Sequence, residues 1–241
     1  MAFIRFIIQA LAVVLLTVYY SLVVIAKMLG KRDRSIYFEY SRAWSRRLLS
    51  ICGVTVRVSG TELLPMGESR VYVVNHASLF DIPVLLASLD DNIRIMYKKE
   101  LEKIPFFGWN IRMSPFIAVQ RESVSNAMES INTAIEAITH GESVIIFAEG
   151  TRSRDGNLQT FKRGAFYLAA RSNKPIVPII LKGTHSILPK KTLKFNAGEV
   201  QLVIKSPLRA GSELSRTQEK ELMQTVWNTM NEELTSGKTD L

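Results

Sequence analysis

Val71-Tyr72-Val73-Val74-Asn75-His76-Ala77-Ser78-Leu79-Phe80-Asp81-Ile82-Pro83-Val84 carries a short apolar run, a polar turn and a second apolar stretch. The run Val71–Val74 is bounded by turn-type residues and reads as a buried strand. Pro83 prefers the first turn of a helix, where its missing N–H costs nothing and its fixed φ is already helical. The segment therefore predicts strand, loop and helix, with His76 in the loop. The loop matters for chemistry. On one regular helix two residues five apart are turned by about 500°, so His76 and Asp81 would diverge by roughly 140°. They meet only if the helix starts after His76. An imidazole held by a carboxylate is the minimum kit of a general base. Two plainer readings stand beside it: Asp81 as a helix cap, or as the acidic member of a capping box with Ser78, and His76 as an ordinary loop histidine.

Outward from this segment the pattern alternates. Val54, Val56 and Val58 alternate with polar residues, as in a strand. Ser143–Phe147, Ile176–Leu181 and Val200–Ile204 read as further strands. Ser123–Thr139 places Val124, Ala127, Met128, Ile131, Ile135 and Ile138 on one helical face, with Gly141 as a stop. A last helix runs near Ser215–Leu234, with Ser215 and Gln218 as its capping box. Strands alternating with helices predict an α/β domain with a largely parallel central sheet flanked by helices.

The N-terminus differs from the rest. From Phe6 to Ala26 there is no charged residue, and a helix of that length reaches about 30 Å, one hydrocarbon core. A spanning helix, a membrane-interface helix and a cleaved signal peptide compete, and no small-x-small cleavage site stands out before Lys27. Lys27, Lys31, Arg32 and Arg34 follow the apolar stretch, against Arg5 alone before it. If the helix spans, this places the rest of the chain on the cytoplasmic side. Ile36–Ile51 mixes aromatics with Arg42, Arg46 and Arg47, which suits a lipid surface or a core-facing helix. The division expected is residues 1–52 as membrane-anchoring helices and 53–241 as the main domain.

A second cluster, Phe147-Ala148-Glu149-Gly150-Thr151-Arg152-Ser153-Arg154, follows the strand Ser143–Phe147. Gly150 permits close backbone approach, and a guanidinium pairs bidentately with phosphate. The cluster is a candidate anion site or simply a charged turn. Lys and Arg total 31 against 22 Asp and Glu, so the chain favours anionic partners. A single cysteine, Cys52, excludes an intrachain disulfide and a Cys-rich metal cluster.

Taken together, these blocks resemble the glycerolipid acyltransferase family. Asn75–Asp81 matches its Asn-His-x-x-x-x-Asp block in full. Phe116-Ile117-Ala118-Val119-Gln120-Arg121 is similar to its apolar strand ending in arginine. Phe147–Ser153 matches its Phe-Pro-Glu-Gly-Thr-Arg-Ser block, with Ala148 in place of proline, and Val177-Pro178-Ile179 matches its Val-Pro-Ile. Lys98–Leu101, Ile104–Trp109 and Phe161–Ala165 are also similar. The resemblance covers roughly residues 54–208. It implies transfer of a fatty acyl group from an acyl thioester, on coenzyme A or acyl carrier protein, to the sn-2 hydroxyl of 1-acyl-glycerol-3-phosphate, making phosphatidic acid. A sister activity on another lysolipid, such as a lyso-ornithine lipid, is the alternative. The roles implied are His76 as base and Asp81 as its orienting carboxylate. Arg152, Arg121 and Lys99 would be the phosphate cations, and Glu149, Gly150 and Thr151 would shape the acceptor pocket. The partners implied are a lysophospholipid, the thioester donor and the bilayer, with no metal, organic cofactor or nucleic acid. The place implied is the inner membrane, with the catalytic domain on its cytoplasmic face.

Overall fold

The computed structural model describes residues 2–30, 34–120, 124–192, 194–209, 211 and 214–236. Two helices, α1 (Ala2–Gly30) and α2 (Arg34–Cys52), precede a sheet of seven strands among the described residues. These are β1 (Val54–Ser59), β2 (Val71–Val74), β3 (Ile93–Lys98), β4 (Ile117–Val119), β5 (Ser143–Phe147), β6 (Ile176–Lys182) and β7 (Gly198–Ile204), in spatial order β1-β7-β6-β2-β5-β3-β4. Every neighbouring pair is parallel except β6 with β7. The helices between them are α3 (Asp81–Ser88), α4 (Phe107–Met113), α5 (Val124–Thr139), α6 (Gly164–Ser172), α7 (Thr184–Ile187) and α8 (Arg216–Thr235).

The expected α/β architecture is the one observed, and the reason is visible in β2. Tyr72 and Val74 enter an apolar cluster with Leu48, Leu49, Val84 and Leu85 of α2 and α3. Val71 and Val73 enter the opposite cluster, with Ile138 of α5, Phe166 of α6 and Val226 of α8. Both faces of the strand are covered, so its sequence is uniformly apolar rather than alternating. The strand β3 has a legible signal of its own. Ile93, Ile95 and Tyr97 are buried, while Arg94, Met96 and Lys98 between them are less so. The capping box of α8 forms as expected, Gln218 N–H donating to Ser215 Oγ and Ser215 N–H to Gln218 Oε1.

The helix α1 is the one helix of the described residues long and apolar enough to cross a membrane. It does not stand apart from the domain. Gln9 Nε2 donates to Ile51 O at 3.1 Å, Trp44 Nε1 donates to Thr17 Oγ1 at 3.2 Å, and the Phe6 and Phe195 rings meet at 5.8 Å. Tyr20, Val24 and Met28 are buried. The other side of the helix leaves Ile4, Ile8, Leu11, Leu15 and Leu22 exposed, at helical spacing. Of the two readings open for Ile36–Ile51, the core-facing one accounts for Tyr37, Phe38, Leu48 and Leu49, all buried. Arg42 reaches the end of α3, donating to the carbonyls of Asp90 at 2.5 Å and Asp91 at 2.8 Å. The expected division after residue 52 falls at the turn through Gly53, whose φ is +68°, although Leu48, Leu49 and Cys52 share the core of the sheet.

Candidate active site

The site lies where β2, β5 and β3 end side by side. Val74 pairs with Phe147 in parallel register, so Asn75-His76 and Ala148-Glu149 leave the sheet together. The carboxyl ends of parallel strands are the usual ligand edge of an open α/β sheet. Asn75 fastens the first of these turns to the sheet. Its Nδ2 donates to Leu181 O at 3.0 Å and its Oδ1 accepts from Leu181 N–H at 2.7 Å, so the side chain extends the ladder towards β6.

His76 lies in the loop and Asp81 opens α3, the arrangement their spacing demanded. His76 Nδ1 stands 2.7 Å from Asp81 Oδ2. The same oxygen accepts from the N–H groups of Ala77 and Ser78, each at 2.9 Å. Asp81 thus pins the turn that precedes its helix and partners the imidazole through the same oxygen. The N-cap of α3 is Phe80, with no side-chain cap, so the reading of Asp81 as a helix cap does not hold. A carboxylate with no proton to give assigns the hydrogen to Nδ1, which leaves Nε2 as the basic nitrogen. The Phe147 ring stacks on the imidazole at 4.0 Å with planes 22° apart. With one edge bonded and one face covered, the ring has little freedom.

The resemblance implies that Glu149 shapes the acceptor pocket, and its side chain is turned into the loops. Its side chain is buried, Oε1 accepting from His76 N–H at 2.6 Å and Oε2 from both the backbone N–H and Nε2 of Gln159, each at 3.0 Å. Both oxygens are engaged within the loops. Burial raises its pKa above the ordinary carboxylate value, against the pull of the N–H donors and of His76. Gly150 has φ +72° and closes a turn through its N–H to Phe147 O at 2.9 Å. An L side chain is strained at that angle, and a Cβ would meet Lys162 Cε at 2.8 Å. Ser153 N–H donates to His76 O at 2.7 Å, which ties the far end of this loop back to the first.

Thr151 is exposed and Arg152 half-buried at the tip of the loop. Lys99 is exposed just beyond the end of β3 and lines a small cavity of about 260 Å³ with Gln120 and Glu129. Arg121 lies outside the described residues. Ser78, a rival nucleophile by position, is fully buried. Its Oγ donates to Leu188 O at 3.0 Å and accepts from Phe80 N–H at 3.2 Å. Cys52 is buried too, and burial pushes its thiol up to about 11. Neither is poised to attack. The sequence marks neither Gln159 nor Lys190 as a site residue. Lys190 Nζ in fact donates to Arg152 O at 2.5 Å and Thr151 Oγ1 at 3.2 Å.

Next to the base loop is an apolar cavity of about 430 Å³ between α1, α2, α3 and α4. Val13, Tyr20, Trp44, Phe80, Ile111 and Phe116 are among the side chains that line it. No local pattern announces it, because its walls come from four helices, from β3 and from the loops between them.

Residues 55–182 match the acyltransferase family model. The chain is 37% identical over 153 residues to the chloroplastic 1-acyl-sn-glycerol-3-phosphate acyltransferase of Brassica napus, covering 63% of this chain and 44% of that protein. It is 28% identical over 188 residues to the 1-acyl-sn-glycerol-3-phosphate acyltransferase of Saccharomyces cerevisiae, covering 77% and 61%. The chain spans about half the length of the plant relatives it matches. A crystal structure of the 1-acyl-sn-glycerophosphate acyltransferase PlsC from Thermotoga maritima superposes with a TM-score of 0.84 at 27% identity, covering 100% of this chain and 99% of that one.

Proposed function

The chain belongs to the acyltransferase family, and on that premise we propose that it transfers a fatty acyl group from an acyl thioester to the sn-2 hydroxyl of 1-acyl-glycerol-3-phosphate, forming phosphatidic acid. The observation that carries the reading is the His76 Nδ1 to Asp81 Oδ2 contact of 2.7 Å at the mouth of an anion-suited loop. A hydroxyl is a weak nucleophile at neutral pH. Nε2 of His76 takes its proton as the oxygen attacks the thioester carbonyl, and Asp81 stabilises the imidazolium that forms. The tetrahedral intermediate collapses by breaking the carbon–sulfur bond. The departing thiolate receives the proton from His76, so base and proton balance return to the start. Transfer is direct, with no acyl group on the enzyme.

Arg152, Lys99 and Arg121 hold the acceptor phosphate, with Gly150 and Thr151 shaping the turn that presents Arg152. Glu149 acts one step back, as the carboxylate that joins the two loops. The 430 Å³ apolar cavity is suited to an acyl chain, since hydrocarbon buried there leaves water at about 0.8 kcal/mol per CH₂. The donor is an acyl group on coenzyme A or acyl carrier protein. Residues 1–52 act as the membrane-attachment unit, with α1 lying along the domain and its outer stripe in the hydrocarbon. The tie from Gln9 to Ile51, with burial continuing as far as Met28, favours a helix lying along the surface over one that leaves the domain to span. The cytoplasmic face of the inner membrane is the setting that suits the basic residues after α1.

The test crosses the two thioester donors with lysophosphatidic acid, lyso-ornithine lipid and a neutral monoacylglycerol, and follows products by mass. Phosphatidic acid from wild-type protein, and none from His76→Ala, is the expected result. Acylation of lyso-ornithine lipid alone would replace the acceptor assigned here.

A further inference from the structure

The connection from β5 to α6 carries Arg152, and two side chains grip its backbone there, Gln159 from further along the same connection and Lys190 from outside it. Gln159 grips one side. Its Nε2 is shared between Glu149 Oε2 and Thr151 O, each at 3.0 Å, and its backbone N–H also reaches Glu149 Oε2. Trp227 Nε1 of α8 donates to Gln159 O at 3.1 Å, which anchors the gripping residue to the domain. Lys190 grips the other side, its ammonium donating to Arg152 O at 2.5 Å and Thr151 Oγ1 at 3.2 Å. Through Glu149 Oε1 and the His76 N–H, at 2.6 Å, the Gln159 side of the grip continues to the base.

We propose that Gln159 and Lys190 are positioning residues that clamp the Thr151–Arg152 backbone and so set the distance between the phosphate-binding guanidinium and the His76 base. The inference rests on the acceptor reading above. A bound lysophosphatidic acid must satisfy two demands at once. Its phosphate must sit on Arg152 while its sn-2 hydroxyl reaches His76, and a loop free to shift by about an ångström would break that coincidence. The two halves of the clamp do different work. Gln159 is joined to the base loop through Glu149, so its loss disturbs turnover. Among the described residues the Lys190 ammonium hydrogen-bonds the phosphate loop, where it also adds positive charge, so its loss weakens acceptor binding. The Gln159 amide donates to both a carboxylate and a carbonyl from one nitrogen without adding charge beside Glu149.

The test is steady-state kinetics of the full chain with lysophosphatidic acid and acyl thioester varied separately. Lys190→Met is expected to raise KM for lysophosphatidic acid about tenfold while KM for the thioester and kcat stay within about twofold. Lys190→Arg, which restores a cation and donors, should recover most of that loss. Gln159→Met is expected to lower kcat about tenfold. Lys190 is partly exposed, so its variants remain informative if Gln159→Met proves unstable in thermal unfolding. An unchanged acceptor KM in Lys190→Met, or equal rises for both substrates, overturns the clamp while leaving the acyltransferase reading in place. A wild-type chain inert towards lysophosphatidic acid with either donor overturns that reading, and the clamp's role in acceptor recognition with it.

Discussion

Asp81 Oδ2 accepts three hydrogen bonds, whereas Oδ1 is buried and has no donor among the described residues. An asparagine can therefore place its oxygen where Oδ2 sits and its amide where Oδ1 sits. It would keep the bonds from Ala77 and Ser78 N–H and the Nδ1–H tautomer but lose the charge that stabilises the imidazolium. His76→Ala is expected to lower turnover by roughly 10²- to 10⁴-fold, and Asp81→Asn by less, measured as phosphatidic acid formed per unit of folded protein. A larger loss for Asp81→Asn than for His76→Ala would mean that the base is not His76. Ser78→Ala removes two buried hydrogen bonds, to Leu188 O and from Phe80 N–H, which should cost about 1–3 kcal/mol in thermal unfolding. Below its unfolding temperature the variant should keep most activity, as should Cys52→Ala. Labelled thioester given without acceptor should leave no label on either residue. Label that a later addition of acceptor removes would establish an enzyme nucleophile and refute direct transfer.

Among the elements, α8 bears most on the site from a distance. Its Trp227 holds Gln159, and its last turns are fixed by Glu233 between Lys182 of β6 and Lys205, both contacts at 2.5 Å. Burial opposes ionisation of Glu233, but the two ammonium groups outweigh it and hold its pKa below the ordinary carboxylate value. A carboxyl whose folded pKa is depressed contributes stability above its unfolded value, and that contribution disappears as pH falls through the folded value. Wild type should therefore unfold at a higher temperature than Glu233→Gln at about pH 6, and the gap should narrow as the pH falls below the ordinary carboxylate range. A gap of about 1 kcal/mol is the expected size for a half-exposed pair of ion pairs. A gap that is constant with pH would assign the difference to packing.

At the scale of the whole molecule, α1 presents two faces with different work. Gln9, Thr17, Tyr20, Val24 and Met28 face the domain, and Ile4, Ile8, Leu11, Leu15 and Leu22 face outward. Replacing the outer leucines should release the protein from lipid without opening the core. The double variant Leu11→Glu, Leu15→Glu is expected to float poorly with vesicles containing phosphatidylglycerol while its thermal unfolding stays near that of wild type. Equal flotation of the two proteins would remove α1 from the attachment surface. Removing residues 1–27 altogether is a harsher change, because Val13, Thr17, Tyr20 and Val24 also wall the apolar cavity. That truncation should lose activity as well as attachment.

Much of this was local and therefore legible. The strand–loop–helix around His76 follows from four apolar residues, one polar turn and Pro83, and the need to bring His76 and Asp81 together already required a helix beginning after the histidine. The capping box of α8 and the apolar face of α5 are equally short-range. The alternation of strands and helices was enough for the α/β class, and the order of the motif blocks for the family resemblance. Tertiary structure decided what joins residues far apart. The antiparallel pairing of β6 with β7 depends on sheet order, not on either strand's composition. Asn75 bonds to Leu181, 106 residues away, and Lys190 to Arg152, 38 residues away. The family resemblance implied a pocket role for Glu149. Its orientation was set instead by three N–H donors, on His76 and Gln159, that the fold brings to it. Likewise, an apolar stretch of spanning length does not reveal whether one of its faces is covered. Periodicity and composition report each segment's own preference, whereas a side chain's partner is fixed by the sheet register that places two segments together.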